Sequence, residues 1–487
     1  MSLRCDLIFR DATIIDGTGD NRVSGDVAVS GERITAIGDL SAWSADREII
    51  ATGKVLAPGF IDAHTHDDRA VLCGPSCMLC KMSQGVTTVV VGNCGISISP
   101  VRMKQRPIPP LDLLGGEEWF TFDSFGDYAE RLAREPAPVN TVALIGHTAL
   151  RVEALDATGM GDLTRAASDK EAAHMQSRLR EALLQGASGF STGLYYPAAN
   201  SAPTAEVIAV AEALRETGGL YVTHMRDEGD GVLASIEETL KIGTAVGAPV
   251  VISHHKCVMP WNFGRSSETL ALIDAVQARH KTDFDVYPYN ASSTVLMPEK
   301  LHPDVPIKIT WSVPYPQFTG RMLSDIAAEW DLSQVEAARR LLPAGAIYYQ
   351  INEADMQRIL SHPRAMVGSD GLPHDQFPHP RLWGTFPKVL GHYSRDLGLF
   401  SLEAAVHKMT GRVADVFGLA DRGVIRAGAF ADLVLFDPLT VRDAANFDTP
   451  TLPAEGIAET WVAGQSAYVH GKGATEARAG RLVTRGC

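Results

Sequence analysis

The sequence predicts an α/β chain: a (β/α)8 barrel carrying a small β-sandwich domain formed by both chain ends. Three observations lead there. Between about Pro58 and Leu419, eight apolar, strand-like runs alternate with longer helical stretches, the pattern of repeated βα units. The ends of these runs are polar and often histidine-bearing, and that is the rim where such a barrel presents its loops. On either side of this stretch the texture changes to short alternating strands and Gly/Asp turns. A doubly wound sheet could use several of the same strands, but it explains less economically why chemically capable residues terminate so many of them.

Taken in order, residues 1–57 contain CDLIFRDATIID, GDVAVSG and ERITAIGD, which read as antiparallel strands. Matching material, GVIRAGAFADLVLFDP and IAETWVAGQSAYVHG, lies in residues 420–487, so the two ends are expected to meet in one domain. The barrel then occupies residues 58–419. Its strands are expected in KVLAPGFIDAHTH, VTTVVVGNC, NTVALIGH, ASGFSTGLYY, GLYVTHM, APVVISHHK, TDFDVYPY and RAMVGSDG. The interval of roughly 290–363 between the last two is too long for an ordinary barrel connection. It predicts an excursion over the barrel mouth, either a moving lid or a fixed decoration of nearly equal weight.

Composition narrows the function classes. The chain has 487 residues, 45% hydrophobic and 21% charged, in the range of a globular protein. No uninterrupted apolar stretch suffices for a bilayer, and MSLRCDLIFRDATIIDGTG lacks the apolar core of a targeting segment, so a cytoplasmic protein is expected. With 58 acidic against 44 basic residues, the surface repels nucleic-acid phosphates and suits anionic lipid poorly. Seven cysteines are too few for a disulfide scaffold. DGTGDNR is not a nucleotide-binding loop.

The chemistry gathers at strand ends. In Asp62-Ala63-His64-Thr65-His66, residues two apart in an extended segment point the same way, so His64 and His66 can converge on one centre. Cys94 ends the second strand, where its thiolate can ligate zinc. His224 and His254 end the fifth and sixth strands, and Asp370 follows the eighth. Each alone has a bland reading as a packed cysteine or a satisfied histidine. Together they recur at the rim of five strands, which scattered structural residues have no reason to do.

These residues carry a resemblance. PGFIDAHTH, GVTTVVVGNCGIS, THMRDE, ISHHK, DVYPY, GSDGLPHD and HPRLWGTFPKVLGHYSRDLGLF resemble the amidohydrolase superfamily, and specifically its N-acyl-D-amino-acid deacylases, along essentially the full chain. The resemblance implies a zinc-dependent enzyme that hydrolyses a small-molecule N-acyl-D-amino acid to a carboxylate and a free D-amino acid. It assigns one tightly bound zinc to Cys94, His224 and His254, and a second, weak or empty site to His64, His66 and Asp370. Asp370 becomes the general base, and His64 or His66 can stabilise the oxyanion if no second metal is present. Lys256 and Arg381 are implied for the substrate carboxylate, with Tyr196, Tyr287 and Ser293 as further substrate contacts.

The D preference comes from the resemblance alone. Because DVYPYNASSTVL contains no Lys or Arg, neutral or hydrophobic D-residues are favoured over D-Glu and D-Asp, unless a cation from the excursion intervenes. His255 is expected to face away from the site, and His147 to be a neutral, hydrogen-bonding residue. Cys73, Cys77 and Cys80 invite a metal or redox reading but lack a second pair, so packing or surface cysteines are expected. The alternatives are an amidohydrolase acting on cyclic amides, disfavoured by Cys94 and HHK, and a non-catalytic metal-stabilised sensor, disfavoured by Asp370. A monomer or small homo-oligomer with no macromolecular partner completes the expectation.

Overall fold

The computed structural model describes residues 3–156, 161–277 and 279–486. Its centre is an eight-stranded parallel sheet of Phe60–Asp62, Val86–Val91, Asn140–Gly146, Gly189–Gly193, Leu220–His224, Val250–Ile252, Thr282–Val286 and Ala365–Val367, each paired with its neighbour in chain order. The sheet closes between its last and first members. Ala63 N donates to Val367 O at 3.2 Å, and Thr65 bridges Gly371 in parallel. All eight expected strands are therefore present, in a near-closed barrel.

Sequence explains why these segments are strands. Val86–Val91, VTTVVV, is wholly β-branched and wholly buried, which suits a parallel strand covered on both faces. Ile61, Val90, Val142, Leu144, Val222, Val251 and Met366 form one apolar cluster with Phe417 and Leu419. Helices such as Asp169–Leu184 and Val232–Val246 bury their apolar faces against the outside of the sheet.

The chain ends share one nine-stranded sheet. Val55–Pro58 pairs antiparallel with Leu433–Phe436, which joins the N-terminal strands to Ile457–Val462, Gln465–Val469 and Gly473–Ala474. This sheet curls until its far strand, Arg33–Gly38, meets the segment before Leu433: Ile34 N donates to Ala429 O at 2.9 Å, and Gly428 N to Ile34 O at 2.8 Å. Phe9, Val27, Leu56, Leu433 and Trp461 fill the curl, with Phe9 edge-on to Trp461 at 4.9 Å between ring centroids.

The excursion before the eighth strand is a compact unit. Three antiparallel strands, Ser292–Val295, Ile307–Ser312 and Ala344–Tyr348, pack with helices Leu323–Trp330 and Gln334–Leu341 around Ile309, Leu323, Ile326, Leu341 and Ala346. It sits over the barrel mouth, where Ser292, Ser293, Thr294, Tyr348 and Gln350 line a cavity with Tyr196, His224, Lys256 and Asp370. Among the described residues, no helix is long and apolar enough to cross a membrane.

Candidate metal centre

Three of the candidate ligands have left-handed backbone: Cys94 at φ 53°, His254 at 36° and Asp370 at 50°. Non-glycine residues rarely adopt it, and such strain persists only where the surrounding fold imposes it. Here each strand stops and turns sharply, aiming its side chain across the mouth. Glycines admit the close approaches that follow. A Cβ on Gly193 would lie 2.1 Å from Cys94 O, and one on Gly368 would lie 2.5 Å from His64 Cβ.

The six residues meet below the surface, none more than 7% exposed. Cys94 Sγ lies 3.4 Å from His254 Nε2, which lies 3.2 Å from His224 Nδ1. Cys94 Sγ is also 3.2 Å from His64 Nε2, while His66 Nε2 approaches Asp370 Oδ1 at 3.1 Å. Two donor sets result, Cys94/His224/His254 and His64/His66/Cys94/Asp370, each with its ligand atoms within 4.8 Å of one another and with Cys94 in common. A thiolate with two imidazoles suits a borderline cation, and the second set adds a carboxylate. The donor chemistry fits a binuclear metal cluster.

Charge follows the geometry. Burial pushes the Cys94 thiol up, but the imidazoles of His64 and His254 outweigh it and hold the thiol well below its ordinary value. Burial likewise opposes ionisation of Asp370, yet Arg381, His254 and His66 keep it well below the usual carboxylate range. Burial lowers His66, whereas its bond to Asp370 and the neighbouring Cys94 carry it to about 9. Cys94, Asp370 and His66 thus stabilise one another's charged forms, whereas burial lowers the pKa of His224 and favours its neutral, ligating form.

The expected substrate contacts surround it. Arg381 Nη1 lies 2.9 Å from Asp370 Oδ2, Nη2 donates to Ser293 O at 2.9 Å, and its guanidinium sits 4.6 Å from the Tyr287 ring centroid. Lys256 Nζ donates to Glu228 Oε1 at 2.7 Å. Burial opposes the Lys256 charge but Glu228 prevails, so its pKa is raised. The hydroxyls of Tyr287 and Ser293 are buried without a hydrogen-bond partner, whereas Tyr196 Oη and Thr294 Oγ1 are 2.9 Å apart.

Other expectations fall outside the cluster. His255 Nε2 meets Thr269 Oγ1 at 2.8 Å, and burial lowers its pKa to about 4. His147 packs against Phe190 and lies 3.4 Å from Glu206, away from both donor sets. Cys73, Cys77 and Cys80 are free and, among the described residues, belong to no donor group.

Sequence reasoning missed the partners behind the ligands. Asp285, fully buried on the seventh strand, accepts from His254 N at 2.9 Å and faces His64 Nδ1 at 3.3 Å. Glu228 lies 3.0 Å from His254 Nδ1 and 3.6 Å from His224 Nε2 while holding Lys256. Such carboxylates fix imidazole orientation in metal sites. Their available signals were an acid inside the seventh apolar run and one four residues after His224.

The model of the amidohydrolase family matches residues 47–292 and 318–468. D-aminoacylase of Alcaligenes xylosoxydans xylosoxydans is 50% identical over 480 residues, covering 99% of this chain and 98% of that protein. N-acyl-D-aspartate deacylase of the same organism is 49% identical over 466 residues, covering 96% and 92%. The crystal structure of N-acyl-D-glutamate deacylase from Bordetella bronchiseptica, complexed with zinc and a phosphonate mimic of the tetrahedral intermediate, superposes with a TM-score of 0.94. It is 45% identical and covers 99% of this chain and 100% of that one.

Proposed function

Because the chain belongs to the N-acyl-D-amino-acid deacylases of the amidohydrolase family, we propose that it hydrolyses N-acyl-D-amino acids, with neutral or hydrophobic side chains preferred. The observation that carries the reading is the pair of donor sets sharing Cys94, with Asp370 in one of them and two buried cations, Lys256 and Arg381, beside it. Zinc held by Cys94, His224 and His254 would polarise the scissile carbonyl and acidify a water. His64, His66 and Asp370 form the second, weaker position.

Asp370 accepts the proton of the attacking water and returns it to the departing amine. Arg381, whose Nη1 lies 2.9 Å from Asp370 Oδ2, binds the substrate carboxylate together with Lys256. The unpartnered hydroxyl of Ser293 supplies a directional donor in the cavity, and that of Tyr287, whose ring faces Arg381, supplies a second beside it. His64 or His66 stabilises charge developing on the carbonyl oxygen when only one position is filled.

Tyr195, Val258 and Tyr348 give the cavity apolar wall for a neutral side chain. One observation favours a second reading, an acidic side chain. Lys300, exposed on the excursion, stands 4.5 Å from the centroid of Tyr195, which stacks on His224. Specificity constants for N-acetyl-D-Met, D-Leu, D-Phe, D-Glu and D-Asp decide between them. The proposed preference requires the first three to lead; leadership by D-Glu or D-Asp, abolished in Lys300→Met, establishes the second reading.

A further inference from the structure

The segment CGPSCMLCKMSQG, whose cysteines first draw attention, contributes something else: Lys81. Its side chain is completely buried, and its ammonium uses all three N–H groups, donating to Asp62 Oδ2 at 2.8 Å, Thr65 Oγ1 at 2.9 Å and Ser369 Oγ at 2.7 Å. Those partners are tied to one another. Ser369 donates through its hydroxyl to Asp62 Oδ2 at 2.5 Å and through its backbone N to Asp62 Oδ1 at 2.8 Å, while Gly371 N donates to Ser369 Oγ at 3.1 Å. Asp62 Oδ1 also faces His64 N at 3.3 Å, and Thr65 donates to Asp67 Oδ2 at 3.0 Å.

The positions matter. Thr65 lies between His64 and His66, and Ser369 and Gly371 flank Asp370. One ammonium therefore fastens the first-strand loop to the eighth-strand loop at the barrel's closing seam, where Asp370 is held in left-handed backbone. None of its hydrogen bonds reaches Cys94, His224 or His254.

We propose that Lys81 is a positioning residue that sets the spacing of His64 and His66 against Asp370, and so the affinity of the second metal position, without governing the first. This rests on the proposed ligand assignment. Partners behind metal ligands change affinity by about 10–100-fold when removed. An apolar side chain of similar length fills the space but leaves Asp62, Thr65 and Ser369 without their shared donor, and the two loops lose their common reference point.

The test is equilibrium titration of metal-stripped, full-length protein with zinc against a competing chelator, for wild type, Lys81→Met, Thr65→Val and Thr65→Ser. The expected result is two equivalents in wild type and Thr65→Ser. In Lys81→Met and Thr65→Val the second equivalent should weaken about 10–100-fold and the first stay within about threefold. In addition, kcat should fall more than KM rises in both, because Asp370 moves while Lys256 stays fixed on Glu228. A second equivalent bound as in wild type, with only a lower melting temperature, overturns the proposal, as does loss of both equivalents together. Should Lys81→Met not fold, the Thr65 pair decides. Wild type that takes only one equivalent even at millimolar free zinc removes His64, His66 and Asp370 as a metal position, and the proposal with it, while the Cys94/His224/His254 assignment and the deacylase reading stand; that failure is distinct from equal binding by all four proteins.

Discussion

Replacing Lys256 with methionine separates the role proposed for its ammonium from the one its contacts show. Lys256 is proposed to receive the substrate carboxylate, yet it also neutralises Glu228 at 2.7 Å, and Glu228 stands behind both His254 and His224. A hydrogen bond to a charged group contributes about 1.5–3 kcal/mol. Because Lys256 is already shared with Glu228, we place its contribution near the lower half of that range, about 2 kcal/mol, or roughly 30-fold in kcat/KM. Leaving Glu228 without its cation adds a further penalty that is the same for every substrate.

A mutant-by-substrate cycle isolates the first quantity. N-acetyl-D-leucine and N-acetyl-D-leucinamide, which lacks the carboxylate, are compared in wild type and Lys256→Met. The penalty from Glu228 cancels in the ratio of ratios, and the carboxylate contact does not. The expected outcome is an additional loss of roughly 30-fold that falls on the acid alone. Equal losses on acid and amide would refute the contact and leave Lys256 acting only through Glu228 and His254.

Two further outcomes follow from the packing. Asp112 is buried with both carboxylate oxygens unpartnered; burial raises its pKa to about 6, against a weaker pull from Arg106 at 3.7 Å. The folded chain therefore holds more protons than the unfolded chain between the ordinary value of 3.8 and about 6, and stability falls as pH rises through that window. Asp112→Asn should raise the melting temperature by about 1–3 °C at pH 8 and leave it unchanged at pH 4; a gain of the same size at both would show that the charge is not the cause. Gly193→Ala puts a methyl 2.1 Å from Cys94 O, so bound metal per chain should drop, and full metal content by elemental analysis would contradict the close approach.

How much of this could be read from residues alone differs by layer. The barrel was legible because its strands are buried on both faces and end in polar residues, so VTTVVVGNC and VVISHHK show both where a strand lies and where it stops. The six ligand candidates stood out for a related reason, being metal-ligating residue types at the ends of apolar runs. The curl of the terminal sheet was not legible, because strand texture fixes neither pairing order nor which edge returns to meet residues 428–431. Lys81, Asp285 and Glu228 were missed because their significance lies in contacts the fold makes, with partners as far as 288 residues away. A lysine among cysteines and an acid inside an apolar run look unremarkable until the fold buries them.

The central claim is that this metal-ligating, carboxylate-flanked cavity cleaves N-acyl-D-amino acids, and the most direct test measures rate and metal together. Amine release is followed at steady state from paired N-acetyl-D- and N-acetyl-L-amino acids, with bound zinc per chain determined on the same preparation. Strong turnover of the D member of each pair, rising with zinc content and lost in Asp370→Asn, is the expected result. Zinc-loaded protein that releases amine from neither member would contradict the account and bring cyclic amides forward as substrates.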